Sequence, residues 1–273
     1  MTSLQYVRIR ARTDKEKEEA NIRLFTLLHK ALLISGSFDY PFDSLVTISR
    51  LPTPDKQARV ISWNIPESAG KELYFGFLQS YNAKKKNYDL YILKDKSAEI
   101  TNPQSYTGSA DKWMGMVYYS IIQDKGKEKT YILLGRQGAK LINRKIIDVL
   151  SINNQGVPSF GKAVFTKLPS TYKTSPKRMI FEYSSQVYMS LRYDESKKMI
   201  LFDHLGPTEP ELEGQHQYYG PSFDIDGLSY KNGMWSFVKN VDARNPEEKG
   251  DKLFNDPLKP SYQLNKKPIY ETH

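Results

Sequence analysis

The sequence predicts a mainly β protein, an antiparallel meander sheet arranged as a sandwich or open barrel, with one N-terminal helix packed on it. Three observations lead there. From Leu45 onward the chain divides into short alternating or wholly apolar runs separated by turn chemistry. It carries 19 tyrosines in 273 residues, a residue type that suits a pleated, half-buried surface. Only one stretch combines the apolar period of a helix with capping signals.

Residues 7–12, VRIRAR, alternate Val7, Ile9 and Ala11 with three arginines and predict a short strand with a solvated basic face. Thr13 and Glu16 have the spacing of a capping box, in which each side chain satisfies an orphan backbone donor of the first turn. Ala20, Leu24, Leu27, Leu28 and Ala31 then recur on one helical face until Gly36, so a helix is expected over 14–34. Together these elements, residues 1–37, are expected to dock on a β domain spanning 38–245.

The first strand group is LVTISRL (45–51), ARVISWNI (58–65), ELYFGFLQSY (72–81) and YDLYILKD (88–95), a four-strand meander. The second is WMGMVYYSII (113–122), KTYILLG (129–135), KIIDVLSI (145–152) and GKAVF (161–165), with turns expected at 124–129, at Gly135–Gly138 and at NNQG (153–156). RMIFEYS (178–184), VYMSLRYD (187–194) and KMILFDH (198–204) form a third, with Asp194–Lys197 as a hairpin turn. In GLSYKNGMWSFV (227–238), Asn232-Gly233 supplies the positive backbone angles of a two-residue hairpin. Residues 246–273, rich in proline and without periodicity, are expected to be an extended or disordered tail. YIL recurs at 91–93 and 131–133 with MIL at 199–201, so a propeller-like arrangement is the alternative fold.

The formal net charge is +9, which raises the question of nucleic acid. The basic clusters Lys84–Lys86 and Lys125, Lys127 and Lys129 fall where hairpin tips belong, and solvated tips account for them, so nucleic acid is not the expected partner. With no cysteine, the chain has no thiolate catalysis, disulfide or Cys-ligated zinc. The most apolar stretch, LFTLLHKALLIS (24–35), is interrupted by His29 and Lys30 and is too short for a transmembrane segment.

YPFDSL (40–45), PDKQARVISWN (54–64), YFGFLQ (74–79), YILLG, KRMIFEYS, FDHLGP, YYGPSF and NVDARN carry a resemblance. Over residues 38–245 the chain resembles an uncharacterised family of β-rich, often exported proteins of Bacteroidetes-type bacteria. The resemblance implies a periplasmic or exported protein. The chain begins MTSLQYVRIRAR, without the export signal that the resemblance implies, so a cytoplasmic member is the alternative. The loop after YILLG reads Gly135-Arg136-Gln137-Gly138 where similar proteins have Gly-Trp-Asp-Gly, a departure that puts in doubt any carboxylate or stacking role for this loop here.

The histidines are His29, His204, His216 and His273. Asp203-His204 closes an apolar run and meets Gly206-Pro207, an arrangement that could mount a catalytic dyad on a strand end. Neighbouring strand residues point to opposite faces, so the two cannot orient one another. The expected role is the polar end of a buried strand, with Asp203 accepting a hydrogen bond that secures the turn. The competing reading is a metal-assisted hydrolase using Asp203, His204 and the carboxylates Asp224, Asp226 and Asp242. No cofactor is expected beyond a divalent cation at Asp224 and Asp226, donors that suit such an ion. Trp63, Trp113 and Trp235 fall in apolar runs and belong to the core, whereas His216, Tyr218 and Tyr219 precede Gly220-Pro221 and are the residues expected to contact a ligand. Gly-x-Ser-x-Gly, His-Glu-x-x-His and phosphate-loop patterns do not occur. The expectation is a non-enzymatic binding or structural protein of the bacterial envelope, whose partner is a small molecule, glycan or protein.

Overall fold

The computed structural model describes residues 1–123, 129–170, 172 and 174–242. Met1–Val241 forms one unit, and Asp242–His273 a second of which only Asp242 is described. The tail expected at 246–273, and the hairpin tip containing Lys125 and Lys127, lie outside the described residues.

Two helices open the chain, α1 (Thr2–Arg10) and α2 (Asp14–Leu32). The expected strand at residues 7–12 is therefore corrected: most of it is the end of α1. Its apolar alternation misleads because Val7 and Ile9 are exposed, and the buried side chains are Gln5 and Arg8. Three residues apart, these two share a helical face. Gln5 donates to Ser44 O at 2.6 Å and accepts from the Thr47 backbone N–H at 3.0 Å, while Arg8 donates to the carbonyls of Asn64 and Thr47. Burial pulls the Arg8 guanidinium down to about 10. The capping box forms as expected, Glu16 N–H reaching Thr13 Oγ1 at 3.2 Å and Thr13 N–H reaching Glu16 Oε2 at 3.1 Å.

Among the described residues fourteen strands follow. β1 (Ser49–Pro52), β2 (Ala58–Pro66), β3 (Glu72–Asn82) and β4 (Asn87–Lys94) make the first sheet in that order, the antiparallel meander expected. β5 (Val117–Gln123), β6 (Lys129–Gln137), β7 (Ile142–Ile152), β8 (Pro158–Phe160) and β10 (Met179–Ser184) make the second, in the order β10-β7-β6-β5 with β8 on β7. β9 (Phe165–Thr166), β11 (Leu191–Asp194), β12 (Met199–Pro207), β13 (Tyr219–Lys231) and β14 (Met234–Val238) make the third. The third sheet runs β11-β12-β13-β14-β9, its β14–β9 pairing being parallel.

The fold is mainly β and antiparallel, and among the described residues no sheet closes into a barrel. Three core clusters show why. On β6, Tyr131 and Leu133 pack with first-sheet residues Val60 and Leu78, whereas Ile132 and Leu134 pack with third-sheet residues Ile200 and Leu228. Successive strand residues face opposite sides, so the second sheet is covered on both faces, and its runs are apolar throughout rather than alternating. The outer face of the first sheet receives α2, whose Leu24, Leu28 and Leu32 meet Ile61, Trp63 and Phe77. Trp63 Nε1–H donates to Asn21 Oδ1 at 2.7 Å. Trp63, Trp113 and Trp235 are all core residues.

Three local expectations change. Gly135–Gly138 is not a turn: β6 continues through Gln137, and Gly135 is required because a β-carbon there would lie 2.6 Å from Met116 Sδ. Gly206-Pro207 is not a turn that stops the strand at His204: both residues are in the ladder, as the last two of β12, and Pro207 pairs with Tyr219. The third expected group divides: RMIFEYS joins the second sheet, pairing Met179–Ser184 with Ile142–Ile147 on the β7 edge that short β8 leaves open. Asn232 and Gly233, at φ 53° and 82°, make the expected two-residue turn. No helix among the described residues is long and apolar enough to cross a membrane.

The helix face gives a direct check. Leu28→Ala, at a fully buried site, is expected to cost about 2–5 kcal/mol in denaturant unfolding, while Leu27→Ala, 44% exposed, should stay within about 0.5 kcal/mol. Equal costs would contradict the docking of α2.

Candidate functional site

The β12–β13 ladder is regular from Met199↔Ser229 to Asp203↔Ile225 and resumes at Leu205↔Pro221. Between those pairs one residue, His204, stands opposite three: Ser222, Phe223 and Asp224. Extra residues on one strand cannot join the ladder, so the strand bends and its side chains are re-aimed. All three are exposed, Phe223 completely. Asp224 N–H donates to Ser222 Oγ at 3.2 Å and holds the bulge.

Asp203 and His204 take different partners. Asp203 N–H donates to Ser190 O at 3.1 Å, and Asp203 Oδ2 accepts Ser190 N–H at 2.7 Å. Asp203 thus fastens the segment leading into β11, and does not secure a turn at Gly206-Pro207 as expected. His204 Nδ1 lies 2.8 Å from Asp226 Oδ2, and Asp226 Oδ1 accepts Asn240 N–H at 3.1 Å. The Asp226 side chain is 4% exposed and that of His204 46%. A buried carboxylate against Nδ1 favours the tautomer with the proton there, so Nε2 is the nitrogen left to accept. Among the described residues no hydroxyl hydrogen-bonds that Nε2.

The other expected residues lie further along the same chain. His216 and Tyr218 are in a 3-10 turn, His216–Tyr218, that leads into β13. The His216 ring packs 4.7 Å from Tyr219, and its Nε2 is 3.6 Å from Glu182 Oε2. Glu182 is also held by Arg144 Nη2 at 2.6 Å. Tyr219 Oη accepts Gly214 N–H at 2.9 Å, and Tyr218 is the more exposed of the two tyrosines. The structure joins Asp226 to His204 and His216 to Tyr219. Among the described residues no three His, Asp or Glu side chains converge as metal ligands.

Sequence reasoning missed Lys145. It sits on β7 on the same face as Ile147 and Val149, the face toward the third sheet, and is only 8% exposed. Its Nζ lies 4.5 Å from the Tyr119 ring centroid and 5.4 Å from that of Tyr188. Burial, and then the charge of Arg136, pulls its ammonium below the ordinary lysine value. The available signal was a lysine in phase with the apolar positions of KIIDVLSI.

No protein-family profile matches the chain, and no curated protein or solved structure matches it. The arrangement itself is therefore what defines the class: a layered β protein presenting an exposed strand bulge, with a histidine oriented by a buried carboxylate.

The separate partners of Asp203 and His204 predict separate effects. Asp203→Asn keeps an acceptor but loses its charge, and should cost about 1 kcal/mol in thermal unfolding. His204→Gln, on a half-exposed side chain, should leave the melting temperature within a degree or two. The reverse order would mean that His204, not Asp203, holds this end of the third sheet.

Proposed function

We propose that the protein is a non-enzymatic binding protein of the bacterial envelope, and that the β12–β13 bulge is its contact surface. The observation that carries this reading is the bulge, which sets a fully exposed Phe223 beside an ordered His204–Asp226 pair. An exposed aromatic ring on a fixed strand can bury apolar area on contact at little conformational cost, and neighbouring polar groups orient the partner. Lining by exposed Ser222 and Asp224 suits a polar partner such as a glycan, small molecule or protein loop. Placement in the envelope follows the family resemblance.

One observation favours a second reading. A histidine that donates one ring nitrogen to a buried carboxylate is the arrangement by which proteins orient a metal-ligating imidazole. On that reading His204, with Asp203 and Asp224 near it in the chain, serves a metal-assisted hydrolase. Metal analysis of protein purified without chelator separates the two: a stoichiometric divalent ion, lost in His204→Ala, would favour the hydrolase.

The binding reading is tested by a photo-crosslinking side chain placed at position 223 in cells expressing the native gene, followed by fractionation. A discrete adduct in the envelope fraction is expected, with none from the same probe at exposed Val46, on a different part of the chain. Equal labelling from both positions would contradict the bulge as contact surface. Recovery wholly in the cytosol would contradict the envelope placement.

A further inference from the structure

Lys145 presents a separate problem from the bulge: a nearly buried cation without an anion. Among the described residues its ammonium makes no hydrogen bond and no ion pair, and its contacts are the faces of Tyr119 and Tyr188. A buried charge is costly unless paired. Cation–π contacts offset only part of that cost, about 0.5–2 kcal/mol each. The charge that acts on it is that of Arg136, its partner across the β6–β7 ladder, which is of the same sign. Arg136 itself is half-exposed and stands 3.9 Å from Glu72, too far for a full hydrogen bond, so its guanidinium keeps donors to spare.

The surroundings are those of a binding site rather than a packing defect. Lys145 Nζ is not among the side-chain atoms sealed from solvent. Tyr188 is 75% exposed, yet its ring stands over the same ammonium that Tyr119 covers. Tyr119, Tyr183 and Tyr188 lie close enough for each hydroxyl to feel another. Tyr119 spends its hydroxyl on Leu191 O at 2.8 Å, while those of Tyr183 and Tyr188 have no partner among the described residues. The Lys145 ammonium, an open aromatic face and two unused hydroxyls therefore lie on the side of the second sheet that faces the third, with Arg136 the cross-strand neighbour of Lys145 and its guanidinium reaching toward Glu72.

We propose that Lys145, Arg136, Tyr183 and Tyr188 form a binding site for a hydroxylated carboxylate, of which a uronic-acid sugar is the type. The carboxylate meets Lys145 and the Arg136 fork, which suits a planar oxyanion. The sugar ring lies against Tyr188, and its hydroxyls meet those of Tyr183 and Tyr188. A simple anion uses only the charges, and a neutral sugar only the ring and hydroxyls, so neither satisfies the whole set. This site is independent of the Phe223 surface and of the reading given to it.

The test is a calorimetric titration of the full chain with sodium glucuronate, glucose, acetate and inorganic phosphate, repeated on Lys145→Met and Tyr188→Ala. Saturable glucuronate binding is expected, weakened by at least about tenfold in Lys145→Met and several-fold in Tyr188→Ala, because truncating one side of a desolvated charge pair exposes the cost of the other. Glucose and acetate should each bind far more weakly. Absence of saturable glucuronate binding, or binding unchanged in Lys145→Met, overturns the site. Acetate binding as tightly as glucuronate overturns the role of the ring, and phosphate binding more tightly overturns the carboxylate assignment. Should Lys145→Met fail to fold, reductive methylation of the unmutated protein decides: glucuronate must slow modification of Lys145, and an unchanged rate contradicts the proposal.

Discussion

The Asp148–Arg178 pair holds the middle of the molecule together. Both side chains are fully buried, with Arg178 Nε 3.0 Å from Asp148 Oδ1. Two charges removed from water lose several kcal/mol of hydration each, and their attraction recovers this only if the remaining donors and acceptors are also satisfied. The fold meets most of that demand from four directions, and Arg178 Nη2 alone of the pair's nitrogens and oxygens is sealed from solvent without a partner among the described residues. Tyr118 Oη–H donates to Asp148 Oδ2 at 2.9 Å, and Trp113 Nε1–H donates to Tyr118 Oη at 3.0 Å. Val149 N–H also reaches Asp148 Oδ1, and Arg178 Nη1 donates to the carbonyls of Pro103 and Tyr106. Burial, then the neighbouring carboxylate, pushes the Tyr118 phenol well above its ordinary value, so it stays protonated as a donor.

Several features of the chain follow from this network. Asp148 shares a β7 face with Ile146 and Leu150, so the charges sit inside the apolar layer between the first and second sheets. The connection before β5 must approach closely enough to offer its carbonyls, and Gly161 lets it. With φ at 89°, that residue adopts a conformation that favours glycine, and a β-carbon there would lie 2.4 Å from Tyr106 O and 2.7 Å from Arg178 Nη2. Arg178 directly precedes β10, so the same contact fixes where that strand meets β7. The division of the third expected strand group is thus tied to one buried arginine.

Local chemistry was readable, and long-range pairing was not. The Thr13 capping box, the Asn232-Gly233 turn and the meander of the first sheet depend on residues a few positions apart, and all appear as their spacing implies. α1 was misread because its buried face is polar, Gln5 and Arg8, and hydrophobic period is blind to a buried arginine. The transfer of RMIFEYS to the second sheet, and of Phe165 to a parallel pairing with Trp235, has no local signature. At the candidate site, opposite directions for Asp203 and His204 followed from strand geometry alone. The Asp226 partner depended on a ladder that slips by two residues, which only the register reveals. Lys145 was hidden for a related reason: a lysine at a strand start reads as an exposed end, and the covering by Tyr119 and Tyr188 comes from elements distant in sequence.

The central claim is that one buried ion pair, with the hydrogen bonds gathered around it, couples the second sheet to the loops that flank it. A double-mutant cycle in denaturant unfolding tests it with Asp148→Asn, Arg178→Met and the two together. Arg178→Met alone is expected to cost about 3–5 kcal/mol by leaving the carboxylate buried and uncompensated, and the double variant should recover part of that loss through a coupling energy of about 0.5–3 kcal/mol. Single costs within about 0.5 kcal/mol of wild type, or strictly additive effects, would contradict the account.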